Sequence, residues 1–360
     1  MKLKITILVT SVALLIMAFF FSAHQKAPLL NVPSHFPKPV YPFERNPLTE
    51  AGIELGRALF YETLLSKDNT ISCGSCHQQA SGFTQHGHAL SRGINDLSTK
   101  RNAMPLANLA WSSHFGWDGG VHDLDLFPLV PIQNETEMNE SLPNILEKLR
   151  QKRDYPPLFT KAFGSPDITA ERLLKAISQF ILTMVSANSR YDRAVRNEGA
   201  TFTPNERAGW ILVERKCSGC HPEPLFTDFS FRNNGLSKTE SDDQGQFDIT
   251  LKNDDRYKFK VPTLRNIAVT APYMHDGRFD TLEEVVAHYG SGVQHGETLD
   301  YLLKKDHETG ILGLSLTPRE QADIVAFLRT LTDDSFLQDC RFAESSMTTP
   351  TPAKPVINTR

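Results

Sequence analysis

Two pentapeptides in this 360-residue chain share one arrangement of cysteine and histidine. The first, CGSCH, spans residues 73–77, and the second, CSGCH, spans residues 217–221. In this pattern two thiols add to the vinyl groups along one porphyrin edge, and the histidine turns its imidazole onto the iron. The chain therefore predicts two covalently bound c-type haems. Their predicted attachment residues and proximal ligands are Cys73, Cys76 and His77, and Cys217, Cys220 and His221.

Paired Cys-x-x-Cys segments also form zinc sites, short disulfides and thioredoxin-like redox motifs. Zinc-binding pairs usually lie closer together than the 144 residues between these two, and zinc does not require a His directly after each pair. We therefore favour haem. The fifth cysteine, Cys340, is predicted to be a packed or free thiol, with an intermolecular disulfide or a lipid-modified thiol as alternatives.

The N-terminal segment is typical of export. Lys2 and Lys4 precede an apolar run over residues 5–23, as in a secretory signal, and c-type haem is attached after export. We therefore expect a periplasmic protein. The run is long and its cleavage pattern is poor, so an uncleaved inner-membrane tether is the alternative for residues 1–23. The formal net charge of −4 argues against a nucleic-acid partner.

The remaining sequence predicts a mainly α protein with two cytochrome c-like helical domains packed around the two haems. We expect an extended lead-in over 24–45, a first haem domain over 46–200, a second over 201–342 and a disordered tail over 343–360. Helical periodicity or start signals predict helices from about residue 46, over 171–195, and from Thr203 into the second motif. Two more are predicted over 281–288 and 317–331, whereas residues 78–135 show little periodicity.

Peroxide chemistry at a haem needs an open iron with an acid/base group beside it. Residues after the first motif offer several such groups: His86, His88, Asp118, Asp123, Asp125, Glu135, Glu137 and Glu140. An electron-transfer haem needs a sixth ligand, for which the chain after the second motif also offers several: Met274, His275, His288, Tyr289, His295 and His307. Residue chemistry alone does not choose among them.

The order of several motifs resembles the bacterial di-haem cytochrome c peroxidase family, which includes MauG-type enzymes. The resemblance covers about residues 42–340. Besides the two haem motifs, it depends on Arg101-Asn102, on GWDGG at 116–120, on Glu137-Met138, on VPTLRN at 261–266 and on TAPYMHDG at 270–277.

The resemblance implies a role for several residues. The family's peroxide-binding haem is the N-terminal one, which would make His77 its proximal ligand. The family's catalytic Glu lies twenty residues after the Trp of the Trp-Asp-Gly motif, which is Glu137 here, and Trp117 matches the residue that passes electrons between the haems. Pro131 matches a distal-pocket Pro. An inter-haem calcium site would use the side chain of Asn102 and the carbonyls of Thr270 and Pro272.

Three positions depart from the common pattern of the family. A Met lies fourteen residues after the His of the Pro-Tyr-x-His motif in the relatives that use cytochrome c or a copper protein as donor, but here that position is Tyr289, as in the MauG branch. We therefore expect Tyr289 as the distal ligand of the second haem, with Met274 as the alternative. Phe127 replaces a usual Gln. Ile94 replaces a His that blocks the resting iron in some members, so we expect the first iron to be open.

The expected function is reduction of hydrogen peroxide at the N-terminal haem, with electrons relayed through the C-terminal haem from a cytochrome c or a small copper protein. Two alternatives stay open. One is MauG-like, peroxide-dependent oxidation of a protein side chain. The other is a di-haem electron carrier without catalysis.

Overall fold

The computed structural model describes residues 28–236, 243–304 and 310–344, a part of the chain that is rich in short helices. In chain order the α-helices and strands are α1 (Glu50–Phe60), α2 (Cys73–Cys76), α3 (Leu129–Gln133), α4 (Leu142–Gln151), α5 (Tyr155–Phe163), α6 (Ala170–Leu182), α7 (Arg190–Val195), α8 (Pro204–Lys216), β1 (Phe231–Arg232), α9 (Phe247–Thr250), β2 (Phe259–Lys260), α10 (Leu282–Ala287), α11 (Pro318–Arg329) and α12 (Asp334–Leu337). A π-helical turn, His288–Gly292, follows α10 directly.

Apolar side chains gather in two main clusters. The first core takes most of its buried residues from positions 36–184 and is completed by Leu225, Phe336 and Phe342. The second core takes its buried residues from positions 191–331. Cys73 packs against the first core and Cys217 against the second, so each Cys-x-x-Cys-His motif lies beside its own apolar cluster.

Each core contains a close crossing of two helices, α1 with α6 in the first and α8 with α11 in the second. A Cβ added to Gly56 of α1 would lie 1.9 Å from the carbonyl oxygen of Ala176 in α6. A Cβ added to Gly209 of α8 would lie at the same 1.9 Å from the carbonyl oxygen of Asp323 in α11. Only glycine permits such an approach of two helix backbones.

An asparagine holds the end of the second helix in each crossing. Asn108 and Asn266 both have left-handed backbones, with φ of 63° and 60°, a conformation that Asn tolerates better than most residues. The Oδ1 of Asn108 accepts from the backbone N–H of Ser186 at 3.0 Å, beyond α6. The Oδ1 of Asn266 accepts from the backbone N–H of Asp333 at 2.8 Å, beyond α11. The two halves therefore share one local plan.

The prediction of a single helix over 171–195 is wrong. The structure ends α6 at Leu182 and starts α7 at Arg190, although the segment between them contains no Gly or Pro. Asn108 accepts a hydrogen bond from the backbone N–H of Ser186. The Oδ2 of Asp333 accepts from the backbone N–H groups of Ala187 and Asn188 at 2.9 and 2.8 Å. These tertiary hydrogen bonds replace the helical ones, and Ser189 then caps α7.

The other predicted helices are confirmed as α1, α8, α10 and α11. Residues 78–135 contain only short helical turns before α3, as their lack of periodicity predicts. The predicted signal segment and most of the predicted tail lie outside the described residues. Within the described ranges, none of the helices has the length and apolar character that a membrane crossing needs.

Candidate active site

The first Cys-x-x-Cys-His motif forms one helical turn, α2, followed by His77. The backbone N–H of Ser72 donates to the Oγ of Ser75 at 3.0 Å and fixes the start of this turn. The Nδ1 of His77 donates to the carbonyl oxygen of Phe83 at 2.8 Å, and burial lowers the pKa of the imidazole. A neutral imidazole with Nδ1 bound in this way has a free lone pair on Nε2, as a metal ligand requires.

The second motif repeats this arrangement at the end of α8. Cys217 is the residue that ends the helix, and the Nδ1 of His221 donates to the carbonyl oxygen of Phe226 at 3.0 Å. Burial lowers the pKa of His221 as well. The structure therefore prepares both predicted proximal histidines in one tautomer, which the sequence pattern does not specify.

A cavity of about 580 Å³ lies beside the second motif, within the range of roughly 300–1,000 Å³ common for cofactor and ligand sites. The thiols of Cys217 and Cys220 and the imidazole of His221 line it. Most of its wall is apolar, with Val213, Leu264, Val285, Val286, Ile324 and Leu328 among the lining residues. Two thiols, one imidazole and apolar walls are the donor set and surroundings that fit a c-type haem.

The alternatives to haem find no support in this geometry. All five cysteines are free thiols, so neither Cys-x-x-Cys pair forms a disulfide. The two pairs lie beside different cores, and among the described residues no three His, Cys, Asp or Glu side chains converge as a metal site would require. A shared four-thiol zinc site is therefore not formed.

Glu137 lies beside the first motif. Burial raises the pKa of its carboxyl, whose Oε1 accepts from the Nδ2 of Asn134 at 2.8 Å. Burial raises the pKa of the Cys76 thiol to about 11, and the charge of Glu137 adds to that rise, so the carboxyl and the thiol are neighbours. The partly buried carboxyl forms no salt bridge with another described residue, which leaves it able to exchange a proton.

Most of the other candidate acid/base groups are engaged or exposed. Asp118 pairs with Arg101, Asp123 with Arg45 and Glu140 with Lys148. Asp125 accepts hydrogen bonds from Tyr41 at 2.7 Å and Asn46 at 3.1 Å. The side chains of His86, His88 and Glu135 are exposed. Asp125 is likewise buried without an ion pair to another described residue, so what distinguishes Glu137 from this set is its place beside the first motif.

Trp117 connects the two halves. The indole Nε1 donates to the carbonyl oxygen of Asn102 at 2.8 Å, while the carbonyl of Trp117 accepts from the backbone N–H of Lys260 at 2.7 Å. Its ring lies edge-on to His275, with 6.5 Å between the ring centroids, and it lines the cavity of the second motif. A residue of the Trp-Asp-Gly motif in the N-terminal half thus borders the second predicted haem site.

Tyr289 and Met274 both line this cavity. The Nδ2 of Asn234 lies 3.3 Å from the hydroxyl of Tyr289 and 3.5 Å from the Sδ of Met274. Burial raises the pKa of Tyr289 to about 12, and the hydrogen bond from Asn234 opposes that rise. The structure brings the two predicted distal ligands together without choosing between them.

Asn234 is a site residue that sequence reasoning missed. It follows β1 in a segment that reads as an ordinary turn, and no motif marks it. Its position depends on a tertiary contact, since its carbonyl oxygen accepts from the Nε2 of His288 at 3.0 Å. His288, one of the predicted sixth-ligand candidates, is thereby engaged. His275 also lines the cavity but stacks on Phe259 at 3.7 Å, and burial lowers its pKa to about 4.

Comparison with known proteins identifies the family. The profile of the di-haem cytochrome c peroxidases matches residues 50–200. The methylamine utilization protein MauG of Methylorubrum extorquens is 34% identical over 289 residues, which cover 79% of this chain and 79% of that protein. The cytochrome c551 peroxidase of Nitrosomonas europaea is 36% identical, over 78% of this chain and 80% of its own length.

This chain belongs to the di-haem cytochrome c peroxidase family.

A solved structure supports the same conclusion for the fold. The crystal structure of a MauG-like protein associated with microbial copper homeostasis superposes with a TM-score of 0.76 at 34% identity, covering 87% of this chain and 98% of that one. The helix-rich fold is thus that of a MauG-like di-haem protein. Family membership makes the chain a haem peroxidase-type oxidoreductase with two haems, and the prediction of such an enzyme is confirmed.

Two departures from the family pattern have defined surroundings. Ile94 is buried, and its backbone N–H donates to the carbonyl oxygen of Glu137 at 2.8 Å. Ile94, at the position where some members have a blocking His, is therefore hydrogen-bonded to the backbone of Glu137. The ring of Phe127 lies 5.7 Å from that of Phe115 and packs against the first core.

The three predicted calcium ligands each have a carbonyl-type oxygen that accepts no hydrogen bond from a described residue. The Nδ2 of Asn102 donates to the carbonyl of Ala89 at 2.9 Å, which leaves Oδ1 as its free end. Neither that Oδ1 nor the carbonyl oxygens of Thr270 and Pro272 accepts a hydrogen bond from a residue that the structure describes. Unsatisfied carbonyl-type oxygens are the ligands that a hard cation prefers.

Proposed function

We propose that this protein is an exported enzyme that reduces hydrogen peroxide beside His77 and draws electrons through the half of the chain that contains His221. Each half, over residues 46–200 and 201–342, would form a cytochrome c-like domain with one haem attached to its motif. A haem bound there supplies a redox-active iron at which the O–O bond can be cleaved. The steps left to the chain are to hold the cofactor, move the proton and connect the two centres.

The observation that carries the proposal is the partly buried carboxyl of Glu137 beside the first motif, which forms no ion pair with another described residue. Cleavage of peroxide needs a group that takes a proton from one oxygen and returns it to the leaving oxygen. Burial raises the pKa of Glu137 towards the range in which a carboxyl can do both. Asn134 orients the carboxyl through its 2.8 Å hydrogen bond.

Trp117 is proposed as the electron connection between the two centres. Its indole is fixed by the carbonyl of Asn102, and it borders the second cavity from a loop of the first half. A fixed aromatic ring between two redox groups shortens the distance that an electron must cross. The incoming electrons would come from a cytochrome c or a small copper protein at the surface of the second half.

MauG-like oxidation of a protein side chain is the second candidate. Tyr289 supports it, since this phenol lies in the second cavity at the position where the peroxidases with small redox donors have Met. A phenolate ligand donates charge and favours high oxidation states. The similarity to MauG of Methylorubrum extorquens is in line with this alternative. Both candidates need Glu137 and Trp117 and differ in the source of the electrons.

Glu137→Gln tests the proposed reaction. We expect both haems to stay bound and the reaction with peroxide, followed by stopped-flow absorbance, to slow by about 10² or more. The wild-type rate should rise with pH through a pKa above the roughly 4.3 of an ordinary Glu, because the ionised carboxylate takes the proton. This inflection should vanish in Glu137→Gln. The exposed Glu135→Gln, two residues away, is the control, and equal rates in the two variants would remove Glu137 from the mechanism.

We also propose a calcium ion held by Asn102, Thr270 and Pro272. The unused oxygens of these residues support it. Purified protein should contain about one calcium per chain by elemental analysis, and Asn102→Ala should lower that content. An unchanged calcium content in Asn102→Ala would place the ion elsewhere.

A further inference from the structure

Lys260 is a buried lysine in the wall of the second cavity. The residue is 5% exposed and lines the cavity beside Trp117. Its Nζ donates to the carbonyl oxygen of His114 at 2.8 Å and lies 5.9 Å from the centroid of the Phe115 ring. These contacts are neutral or aromatic, and within the described ranges no carboxylate forms an ion pair with it.

The other cations that line the cavity are either paired or at the surface. Arg232 forms salt bridges with Asp228 and Asp300, and Lys216 lies 3.7 Å from a carboxylate oxygen of Glu320. Arg215 is exposed to solvent. Lys260 is therefore the buried cation of this lining whose charge the described residues leave unbalanced.

An unbalanced ammonium in an apolar wall is costly, because it has lost water without gaining an opposite charge. Because of this cost, burial lowers the pKa of Lys260 to about 8. A carboxylate within reach of the ammonium would remove this cost. A buried carboxylate is equally costly unless a cation lies beside it.

The chemistry of the cofactor supplies such a carboxylate. A c-type haem is attached through its vinyl edge, and its two propionates lie on the opposite edge. The wall of this cavity contains Cys217 and Cys220, which would bind the vinyl edge, and also Lys260. The propionates are the carboxylates of the haem, so they are the groups that would neutralise the ammonium of Lys260.

We propose that Lys260 binds a propionate carboxylate of the haem attached at Cys217 and Cys220. The inference uses the proposed placement of the second haem but not the proposed reaction. Because the backbone N–H of Lys260 donates to the carbonyl of Trp117, the same residue joins the haem edge to the connecting tryptophan. Lys260 is thus a positioning residue and sets part of the charge around the second iron.

Lys260→Met and Lys260→Gln test this inference by redox titration of the second haem. Loss of the cation should shift the reduction potential to lower values, because an unbalanced propionate stabilises the oxidised iron. Lys260→Arg, which keeps the charge, should retain most of the wild-type potential. Lys258→Met is the matched control. It removes a lysine two residues earlier that pairs with Asp255 at 3.4 Å and is not part of the cavity wall.

The propionate bending band in the resonance Raman spectrum gives an independent readout. It should shift in Lys260→Met and Lys260→Gln and stay in place in Lys258→Met. An unchanged band, an unchanged potential, or equal potential shifts in the Lys258 and Lys260 variants would overturn the inference.

Haem content separates this result from a failure of the proposed function. Two haems per chain in the wild type establish the second site whatever its reaction. If Lys260→Met and Lys260→Gln retain one haem while Lys260→Arg retains two, the charge is needed for binding and the inference stands. Loss of the second haem in all three would show a role of Lys260 in shape alone and would overturn it.

Discussion

The two halves of this protein use one backbone plan twice. In each, a helix glycine packs so closely on a second helix that an added Cβ would lie 1.9 Å from a carbonyl oxygen of that helix. In each, an asparagine with positive φ holds the end of that second helix, and the Nδ1 of the motif histidine donates to a Phe carbonyl. The side chains around the two motifs differ: Glu137 lies beside the first, and Tyr289 and Met274 lie beside the second.

This difference separates the role of the fold from the role of the chemistry. The repeated features belong to the backbone framework and to the two motif histidines, which would have the same task of presenting an imidazole to an iron. The features that are not repeated would supply either a proton or a second ligand under the proposed function. A buried acid suits an open iron that binds peroxide, whereas a phenol or thioether suits an iron that exchanges electrons.

The largest effect should follow from removing one attachment site. The double variants Cys73→Ala/Cys76→Ala and Cys217→Ala/Cys220→Ala should each lower the covalent haem content from about two to one per chain, because each pair holds its own haem. Pyridine haemochrome assays after acid-acetone extraction give the count. Loss of both haems in either variant would show that the two halves do not form independently.

Gly56→Val and Gly209→Val test whether the repeated helix crossing has the same energetic weight in both halves. Each substitution places side-chain atoms against a backbone carbonyl that cannot move aside, so each should lower the free energy of unfolding by about 1–3 kcal/mol or more. Denaturant titration followed by circular dichroism measures it. Ala208→Val, one residue before Gly209 and only half-buried, is the control, and a loss as large in Ala208→Val would refute the packing explanation.

The ligand of the second iron gives the smallest but most diagnostic change. We expect Tyr289→Phe to abolish the low-spin signal of the second haem and Met274→Leu to leave it in place. A wild-type spectrum without the weak charge-transfer band near ~695 nm that Met/His cytochromes show would agree. The high-spin signal of the His77 haem should persist in both variants. The opposite outcome would make Met274 the ligand and return the protein to the ordinary peroxidase branch.

The sequence by itself determined the cofactor chemistry and much of the helical framework. The two CxxCH motifs predict haem attachment from local sequence alone, because the spacing of the thiols and the imidazole is set within five residues. The helices α1, α8, α10 and α11 were predictable for the same reason, since periodicity and capping residues are local signals. The ordered family motifs pointed to Glu137, Trp117 and Tyr289.

Only the tertiary structure decided what depends on distant residues. The break between α6 and α7 arises because Asn108 and Asp333, which are distant in sequence, accept hydrogen bonds from the backbone N–H groups of residues 186–188. His288 holds the carbonyl of Asn234, whose amide lies beside Tyr289 and Met274. Lys260 carries an unbalanced charge only because folding buries it among neutral groups. Hydrogen bonds and burial between distant segments leave no periodic pattern in a sequence, so these features became visible only in the folded chain.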